Sequence, residues 1–564
     1  MPTPSLAEPL DPWIALPLHD VPKTELKELG VPAALVKAVR AVTTADELRA
    51  LALEPELLRR LEARLAQRLA AARGRGGPPR HLHVAFDRQH LADLRDELVE
   101  LLVALDPRQQ EVVDRVLAGG ALRIRGVAGS GKTQVLLHAL AKRAYRSAQV
   151  SDLLWTFNRS LIEWAGVLLG RLAGPRARRA TLSTFDGWCL RRVDRPGRVL
   201  GDDASELLAL VRRARDRARE ATGDPGSKLW QRDVDFWREE LAFIRDQPIE
   251  ALADYLDVER VGRGTRLDRA HRPLVWAVHE HYARLLRESG LNDWRQVRLE
   301  AYRKLVATRA SRYDHVFIDE AQDLPPLALK MAGLLAGENV TVALDGSQAI
   351  YRKGFRWRDL GLGQARTTTL ATCYRTTVQI ARAAERFRAR EEDPIAWDVE
   401  RAGPKPRVVD VARPALEAEW VAEEVVRRLT AGELRPGHVA VLCYQRGLVP
   451  KVAFRLRQRG LQATEGAHDL SDETVKVLTM SSAKGLEFPV VYIAPLQDGD
   501  FFPRQGGQDA DEHQLEVERR LRVLYVAMTR ARDELVLVHR AGKAARVIAS
   551  MNPDRFEHER GAVP

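Results

Sequence analysis

The chain has 564 residues, and its 45% hydrophobic content supports substantial cores in about three or four domains. Lys and Arg total 89 against 78 Asp and Glu, so the net charge is +11, which suits a polyanionic partner such as nucleic acid; genomic base composition accounts for part of the Arg, Ala and Leu bias equally well. Three cysteines, Cys189, Cys373 and Cys443, stand far apart without a C-x-x-C pair, which argues against a disulfide framework or zinc site. No apolar run of about 20 residues spans a membrane, and M-P-T-P-S-L-A-E-P-L-D is not a signal peptide, so a reducing, cytoplasmic location is expected.

Residues 1–75 read as a helical module. Apolar residues recur at helical spacing from Leu26 to Val39 and from Asp46 to Leu69, with breaks at Gly30-Val-Pro and Thr43-Thr44. This module is either a flank that packs on the rest or a surface for a protein partner. Ala71 to Pro79, A-A-R-G-R-G-G-P-P, reads as a linker, and Leu91 to Leu105 as an amphipathic helix. In the following L-D-P-R-Q-Q-E, Gln109 is placed to read adenine, because its amide both donates and accepts.

Next, Ala121 to Ile124 suits the end of a buried strand, and G-V-A-G-S-G-K-T follows from Gly126 to Thr133. This is the full phosphate-binding pattern. Gly126, Ala128, Gly129, Ser130 and Gly131 form a turn whose N–H groups point at an anion, and Lys132 to Ala141 is a helix whose N-terminus faces it. Lys132 then reaches the β- and γ-phosphates of ATP, and Thr133 sets its hydroxyl on Mg²⁺.

An α/β rhythm follows. Leu153 to Phe157 and Ala180 to Phe185 are strand-like, whereas the span from about 190 to 310 is helical and charged, with Trp230, Trp237, Trp276 and Trp294 expected in its core. Val316 to Ile318 ends in two carboxylates. Asp319 is expected to hold Mg²⁺ through water, and Glu320 to polarise the water that attacks the γ-phosphate. After the strand Val340 to Leu344 comes D-G-S-Q, which places Gln348 near the γ-phosphate. The run Tyr351 to Trp357 interleaves aromatic and basic residues, as a stacking surface for bases does, and as a surface loop with tucked aromatics also does. A second α/β half has strands Arg407 to Val411, His438 to Cys443, Val475 to Met480, Val490 to Ala494 and Glu534 to Val538. Its helices are Trp420 to Leu429 and Pro450 to Gly460. Arg375 and Arg530 stand near element ends there, although position alone would not single them out.

From about residue 100 to 540 the chain resembles the UvrD/Rep-like group of superfamily-one DNA helicases. The segments that carry the resemblance are L-D-P-R-Q-Q-E, G-V-A-G-S-G-K-T, W-T-F-N, S-T-F-D, F-I-D-E-A-Q-D, L-D-G-S-Q-A-I-Y, C-Y-R-T-T, T-M-S-S-A-K-G-L-E-F-P and L-Y-V-A-M-T-R-A, in that order. The resemblance implies an α/β fold of two RecA-like parallel-sheet cores with ATP and Mg²⁺ between them. A helical insertion interrupts the first core and a helical extension precedes it. The implied division is an N-terminal module at 1–75, the first core at 76–190 and 309–368, its insertion at 191–308, the second core at 369–545 and a tail at 546–564.

The resemblance also assigns residues. Arg375 and Arg530 become fingers on the γ-phosphate, Tyr374 the adenine-stacking residue and Glu487 the ribose contact. Phe157, Asn158, Tyr351, Phe355 and Trp357 become DNA contacts. The implied activity is ATP-driven 3′-to-5′ translocation on single-stranded DNA with unwinding, by a monomer, in repair, recombination or defence; RNA is not excluded by residue types. The alternative is a nucleic-acid-stimulated ATPase subunit of a larger complex.

Some positions depart from the family. Gln134 replaces an Arg after G-K-T, Asp186 replaces the His of T-F-H, and R-K-G-F-R-W replaces a shorter W-R-G. A carboxylate repels phosphate, so Asp186 is not expected to touch DNA. The interval from Tyr374 to Thr479 leaves little room for the extra domain that larger relatives insert there, and no nuclease domain is expected after Arg530.

Overall fold

A computed structural model of the chain describes residues 105–345 and 365–561, apart from short interruptions, and parts of residues 26–61. The first sheet is built from β1 (Leu122–Gly126), β2 (Asp152–Thr156), β3 (Ala180–Thr184), β6 (His315–Ile318), β7 (Val340–Leu344) and β8 (Arg366–Leu370). β4 (Arg198–Leu200) and β5 (Leu291–Asp293) form a separate parallel pair within the insertion. The six strands run parallel in the order β3-β2-β6-β7-β1-β8.

A parallel sheet needs crossovers that cover both faces, so its central strands are buried on both sides, whereas β1 alternates and the edge strands β3 and β8 are partly exposed. Every residue of β2 and β6 is buried accordingly. The helices Pro107–Leu117, Lys132–Arg146 and Arg159–Ala173 cover one face through Val113, Leu136, Leu140 and Leu168. Trp294–Thr308 and Pro326–Ala336 cover the other, packed with Trp155 and Trp188. Because all strands are parallel, the C-terminal ends of β1, β6 and β7 lie along one edge, and the loops that leave them share it.

Between β4 and β5 the chain forms a helical unit of its own, built mainly from Ser205–Ala221, Val234–Arg245 and Arg272–Ser289. Trp230, Trp237 and Trp276 are buried in it, with Trp230 stacked on Trp237 at 5.4 Å between centroids, so these tryptophans are core as expected. Trp294 packs against the apolar layer under the first sheet instead.

After a short ribbon of β9 (Thr372–Cys373) with β10 (Asp398–Val399), the second sheet forms. Its strands are β11 (Arg407–Val411), β12 (Val439–Cys443), β13 (Ala463–Glu465), β14 (Val475–Thr479), β15 (Phe488–Leu496), β16 (Ala531–Arg540) and β17 (Glu557–Gly561). All are parallel, in the order β13-β14-β12-β15-β16-β11-β17. Leu416–Thr430 and Val449–Gln458 cover one face, and Val378–Ala384 with Ala510–Met528 the other. The two parallel-strand sheets make the chain an α/β protein with two RecA-like cores. The described residues from Tyr374 to Thr479 belong to the second core and its covering helices, with the β9–β10 ribbon at their start. Separately, Leu26, Val31, Val36, Val39, Val42, Leu48, Leu53 and Leu61 form a small apolar cluster. Gly30 there takes φ +96°, the break anticipated at Gly30-Val-Pro. The helix expected from Leu91 lies mostly outside the described residues.

Candidate active site between the two cores

β1 ends at Gly126 and the loop turns at once: the Ser130 N–H donates to the Val127 carbonyl at 3.2 Å. Gly129 and Gly131 adopt φ of +73° and +78°. Glycine is required there twice over. A Cβ on Gly131 would lie 2.3 Å from Gln109 Nε2, and one on Gly129 would lie 2.3 Å from Arg375 Cβ. The second contact comes from the other core, so the loop is pressed between the two. Lys132 Nζ donates to the Gly126 and Val127 carbonyls, each at 3.0 Å, and lies 3.9 Å from Asp345 at the end of β7. The ammonium is thus held at the mouth of the loop, where a phosphate would take the place of those carbonyls.

Asp319 follows β6 directly. Its Oδ2 accepts a hydrogen bond of 2.5 Å from Thr133 Oγ1, and its Oδ1 accepts from the Glu320 N–H at 2.9 Å. A hydroxyl and a carboxylate oxygen in contact are hard donors that suit Mg²⁺, which keeps water and substrate phosphate as its remaining ligands. Among the described residues no group of three or more His, Cys, Asp or Glu could hold a metal ion. Burial, then the neighbouring Glu320 charge, pushes the Asp319 carboxyl up to about 7. Burial acts the same way on Glu320, yet the Lys132 and Lys484 ammoniums, the Gln322 hydrogen bond and Arg375 together hold that carboxyl below its usual range. Glu320 is the only non-glycine with positive φ among the described residues, at +49°. The Gln322 amide donates to it, and Gln322 Oε1 accepts from the Asp345 N–H at 3.0 Å, so the side chain of Gln322 ties Glu320 to the end of β7.

The second core supplies the opposite wall. Arg375 is half-buried and paired with Glu487. Burial alone would lower its pKa, but Glu487 together with Cys373 and Glu320 raises it above the usual arginine value. Glu487, expected at a ribose, is therefore in contact with Arg375. Arg530 is fully buried at the end of Ala510–Met528, with Nε donating to the Val526 carbonyl at 2.9 Å and Nη1 to Leu486 at 3.4 Å. Burial, then the positive charge of Arg375, pushes its pKa down to about 10, while Glu487, Glu320 and Asp345 act in the other direction. Arg530 thus lies within electrostatic reach of both carboxylate walls. Tyr374 donates its backbone N–H to Gly129 at 3.1 Å and its hydroxyl to Asp106 Oδ2 at 2.5 Å. Asp106 caps the helix Pro107–Leu117, and Gln109 Oε1 accepts from the Asp106 N–H at 3.0 Å while Gln109 Nε2 donates to the Ser130 carbonyl at 3.1 Å. One capping box therefore brings both adenine candidates, Gln109 and Tyr374, to the phosphate loop.

Three residues of this seam were missed by sequence reasoning: Asp106, Lys484 and Asp323. Asp106 was readable as a cap from the D-P that opens a helix. Lys484 and Asp323 form an ion pair of 2.5 Å between the cores, and no local pattern announces it.

Of the DNA candidates, Phe157 is 57% exposed just beyond β2. Asn158, Tyr351, Phe355 and Trp357, together with Gln348, lie outside the described residues. Asp186 is engaged within the fold, as a two-toothed ion pair with Arg298 at 2.6 and 3.0 Å, and Arg298 also reaches Asp246 at 3.1 Å. Gln134 is buried at the base of the loop, beside Gly131. Cys189, Cys373 and Cys443 are free and buried, and among the described residues no helix is long and apolar enough to cross a membrane.

Comparison with known proteins places this geometry. Residues 105–361 match the UvrD/REP helicase N-terminal domain, and residues 451–541 the UvrD-like helicase C-terminal domain. The chain is 44% identical over 92 residues to DNA helicase II of Escherichia coli strain K12, covering 16% of this chain and 12% of that protein. It is 43% identical over 88 residues to the probable DNA helicase II homolog of Mycoplasma capricolum, covering 15% and 12%. It is 39% identical over 69 residues to the ATP-dependent DNA helicase PcrA of Staphylococcus aureus strain Mu50, covering 12% and 9%. The matched segments thus span 12% or less of these relatives' own length. Among solved structures, the C-terminal domain of a possible DNA helicase from Lactobacillus plantarum is 23% identical with a TM-score of 0.25, covering 33% of this chain and 97% of that one. The two family models fall in chain order on β1 to β7, with Lys132, Asp319 and Glu320, and on β13 to β16, with Glu487 and Arg530, and on that ground the chain belongs to the UvrD/Rep-like helicases of superfamily one.

Proposed function

We propose that the chain is an ATP-driven 3′-to-5′ translocase on single-stranded DNA that unwinds duplex, and that it acts in repair, recombination or defence. The observation that carries this reading is the convergence on one seam of Lys132, Thr133, Asp319 and Glu320 from the first core with Arg375 and Arg530 from the second. In this reading Lys132 and the loop N–H groups hold the phosphates of ATP. Thr133 and Asp319 would hold Mg²⁺, which neutralises charge on the β- and γ-phosphates when bound. Glu320 takes a proton from the attacking water. Arg375 leaves Glu487 for the γ-phosphate, and Arg530 joins it, so the presence of that phosphate draws the cores together. Its loss lets Arg375 return to Glu487, and alternation of the two states moves the cores along a strand.

ATP hydrolysis measured in parallel with single-stranded DNA, duplex DNA and RNA tests this. Stimulation by single-stranded DNA is expected, and no stimulation by any of them would overturn the reading. An ATPase subunit of a larger complex is the second reading. It is favoured by the separate apolar cluster at residues 26–61, which offers a module for a partner. Strand displacement by the isolated chain separates the two.

Binding to single strands is expected to weaken steeply with salt, because each phosphate neutralised by Arg or Lys releases counterions. Phe157→Ala or Trp357→Ala is expected to cost about 1–3 kcal/mol of binding if the ring stacks on a base. Titration of a labelled oligonucleotide at several salt concentrations checks both, and a salt-independent affinity would count against a backbone-tracking groove.

The described residues between Tyr374 and Thr479 are taken up by the second core and the short ribbon at their start, without a further domain to restrain the cores. A monomer is therefore expected to translocate without self-association. Single-turnover translocation against protein concentration, with sedimentation to fix the oligomeric state, is the measurement. Translocation confined to concentrations that form dimers would contradict it.

A further inference from the structure

Arg401 lies between β10 and β11, outside the segments that carry the family resemblance. Its carbonyl accepts from the Val378 N–H at 2.7 Å. Its guanidinium forks: Nη1 donates to the carbonyl of Arg375 at 2.6 Å, and Nη2 donates to Asp533 Oδ1 at 2.5 Å. Asp533 stands in β16, shortly after Arg530. One side chain therefore spans the two segments that carry the paired arginines of the active site. A second tie runs beside it, where Thr376 Oγ1 donates to the Ala531 carbonyl at 2.8 Å in a fully buried contact. The approach depends on Gly403, since a Cβ there would lie 2.5 Å from Thr377 Cγ2. The Gly403 N–H also donates to Gln379 Oε1 at 2.9 Å, which holds the segment after Arg401 against the start of the helix Val378–Ala384.

We infer that Arg401 is a positioning residue for hydrolysis, which clamps the Arg375 backbone to β16 so that Arg375 and Arg530 move as one unit. The inference rests on the reading of those two arginines as γ-phosphate groups. The chemistry favours Arg at this position. A planar fork serves a carbonyl and a carboxylate at once, whereas a lysine ammonium is a point charge on a flexible stem. The Arg401 and Asp533 side chains are 27% and 31% exposed, so the pair is too wet to matter much for folding. Its value lies in placement, where an error of about 1 Å costs up to about 100-fold in rate.

The test uses the full chain with Arg401→Ala, Arg401→Lys, Asp533→Ala and the Arg401→Ala/Asp533→Ala double variant. Steady-state ATPase with single-stranded DNA, binding of a fluorescent ATP analogue and thermal melting are measured for each. The expected result for Arg401→Ala is a fall in kcat of about 10–100-fold, with KM for ATP, analogue affinity and melting temperature near wild type. Arg401→Lys recovers part of the rate, and the double variant is no slower than the slower single one, since both remove the same clamp. A wild-type kcat in Arg401→Ala overturns the inference. So does a kcat loss that in both Ala and Lys variants accompanies lost analogue binding and a lowered melting temperature. A wild-type chain that hydrolyses no ATP overturns the functional reading itself, whereas slowing by Arg375→Ala but not by Arg401→Ala overturns the clamp alone.

Discussion

Glu320→Gln is expected to bind ATP as the wild type does and to turn it over about two or more orders of magnitude more slowly, the scale of lost acid–base assistance. The substitution keeps the volume of the side chain and its place after β6, with the unusual backbone at φ +49°. It removes the one property that matters, a carboxylate held in its charged form by Lys132 and Lys484 despite burial. The Thr133–Asp319 contact and the Lys132 position do not run through the Glu320 side chain, so the phosphate cradle survives. Lys132→Ala is the contrasting case. It removes the cationic side chain of the loop, and hydrolysis is expected to vanish. Binding of a slowly hydrolysed analogue together with single-turnover hydrolysis separates the two variants. Hydrolysis at the wild-type rate in Glu320→Gln would sink the assignment of the base.

What could be read from sequence divides by distance along the chain. The phosphate loop between β1 and its helix and β6 with its two carboxylates are local patterns, and the structure places both where the pattern put them; the apolar strands form too, with shifted ends. The contacts that join the cores are not local. Asp323 and Lys484 are separated by 161 positions, Asp106 and Tyr374 by 268, and Arg401 and Asp533 by 132. Each is an ordinary charged or polar residue until the fold brings its partner, and most such residues are solvated. Asp186 shows the same limit from the other side. The sequence argued that a carboxylate should avoid phosphate, but only the fold shows that Arg298, 112 positions away, takes it up.

Strand ends were the weaker part of the local reading. β13 has three residues and none of the alternation that marks a half-buried strand, and β17 is E-H-E-R-G with its first four residues exposed at a sheet edge, so neither was expected. β15 runs from Phe488 to Leu496, longer at both ends than the Val490 to Ala494 expected. Pro489 and Pro495 lie just outside that core, and prolines argue against a central strand.

Arg375→Ala and Arg530→Ala are each expected to leave ATP affinity largely intact and to slow hydrolysis by about 10³-fold or more, the scale of a lost arginine finger. Both arginines have partners within their own core. Arg375 pairs with Glu487, and Arg530 donates to the Val526 and Leu486 carbonyls. Contacts to the γ-phosphate therefore compete with existing ones in the ground state and gain their full value only as charge develops on the transferring group. Arg530 is the more demanding test, because it is buried and its removal leaves those two carbonyls without its guanidinium. Arg530→Lys keeps a positive charge in the same space and is expected to retain the fold while losing most of the rate, since an ammonium cannot reproduce the fork. Melting temperature, analogue affinity and kcat measured on the same preparations separate a folding defect from a chemical one. A large loss of ATP affinity with unchanged turnover would make both arginines ground-state contacts, and Glu487 would then be a partner that Arg375 leaves on binding rather than one it leaves for the transition state.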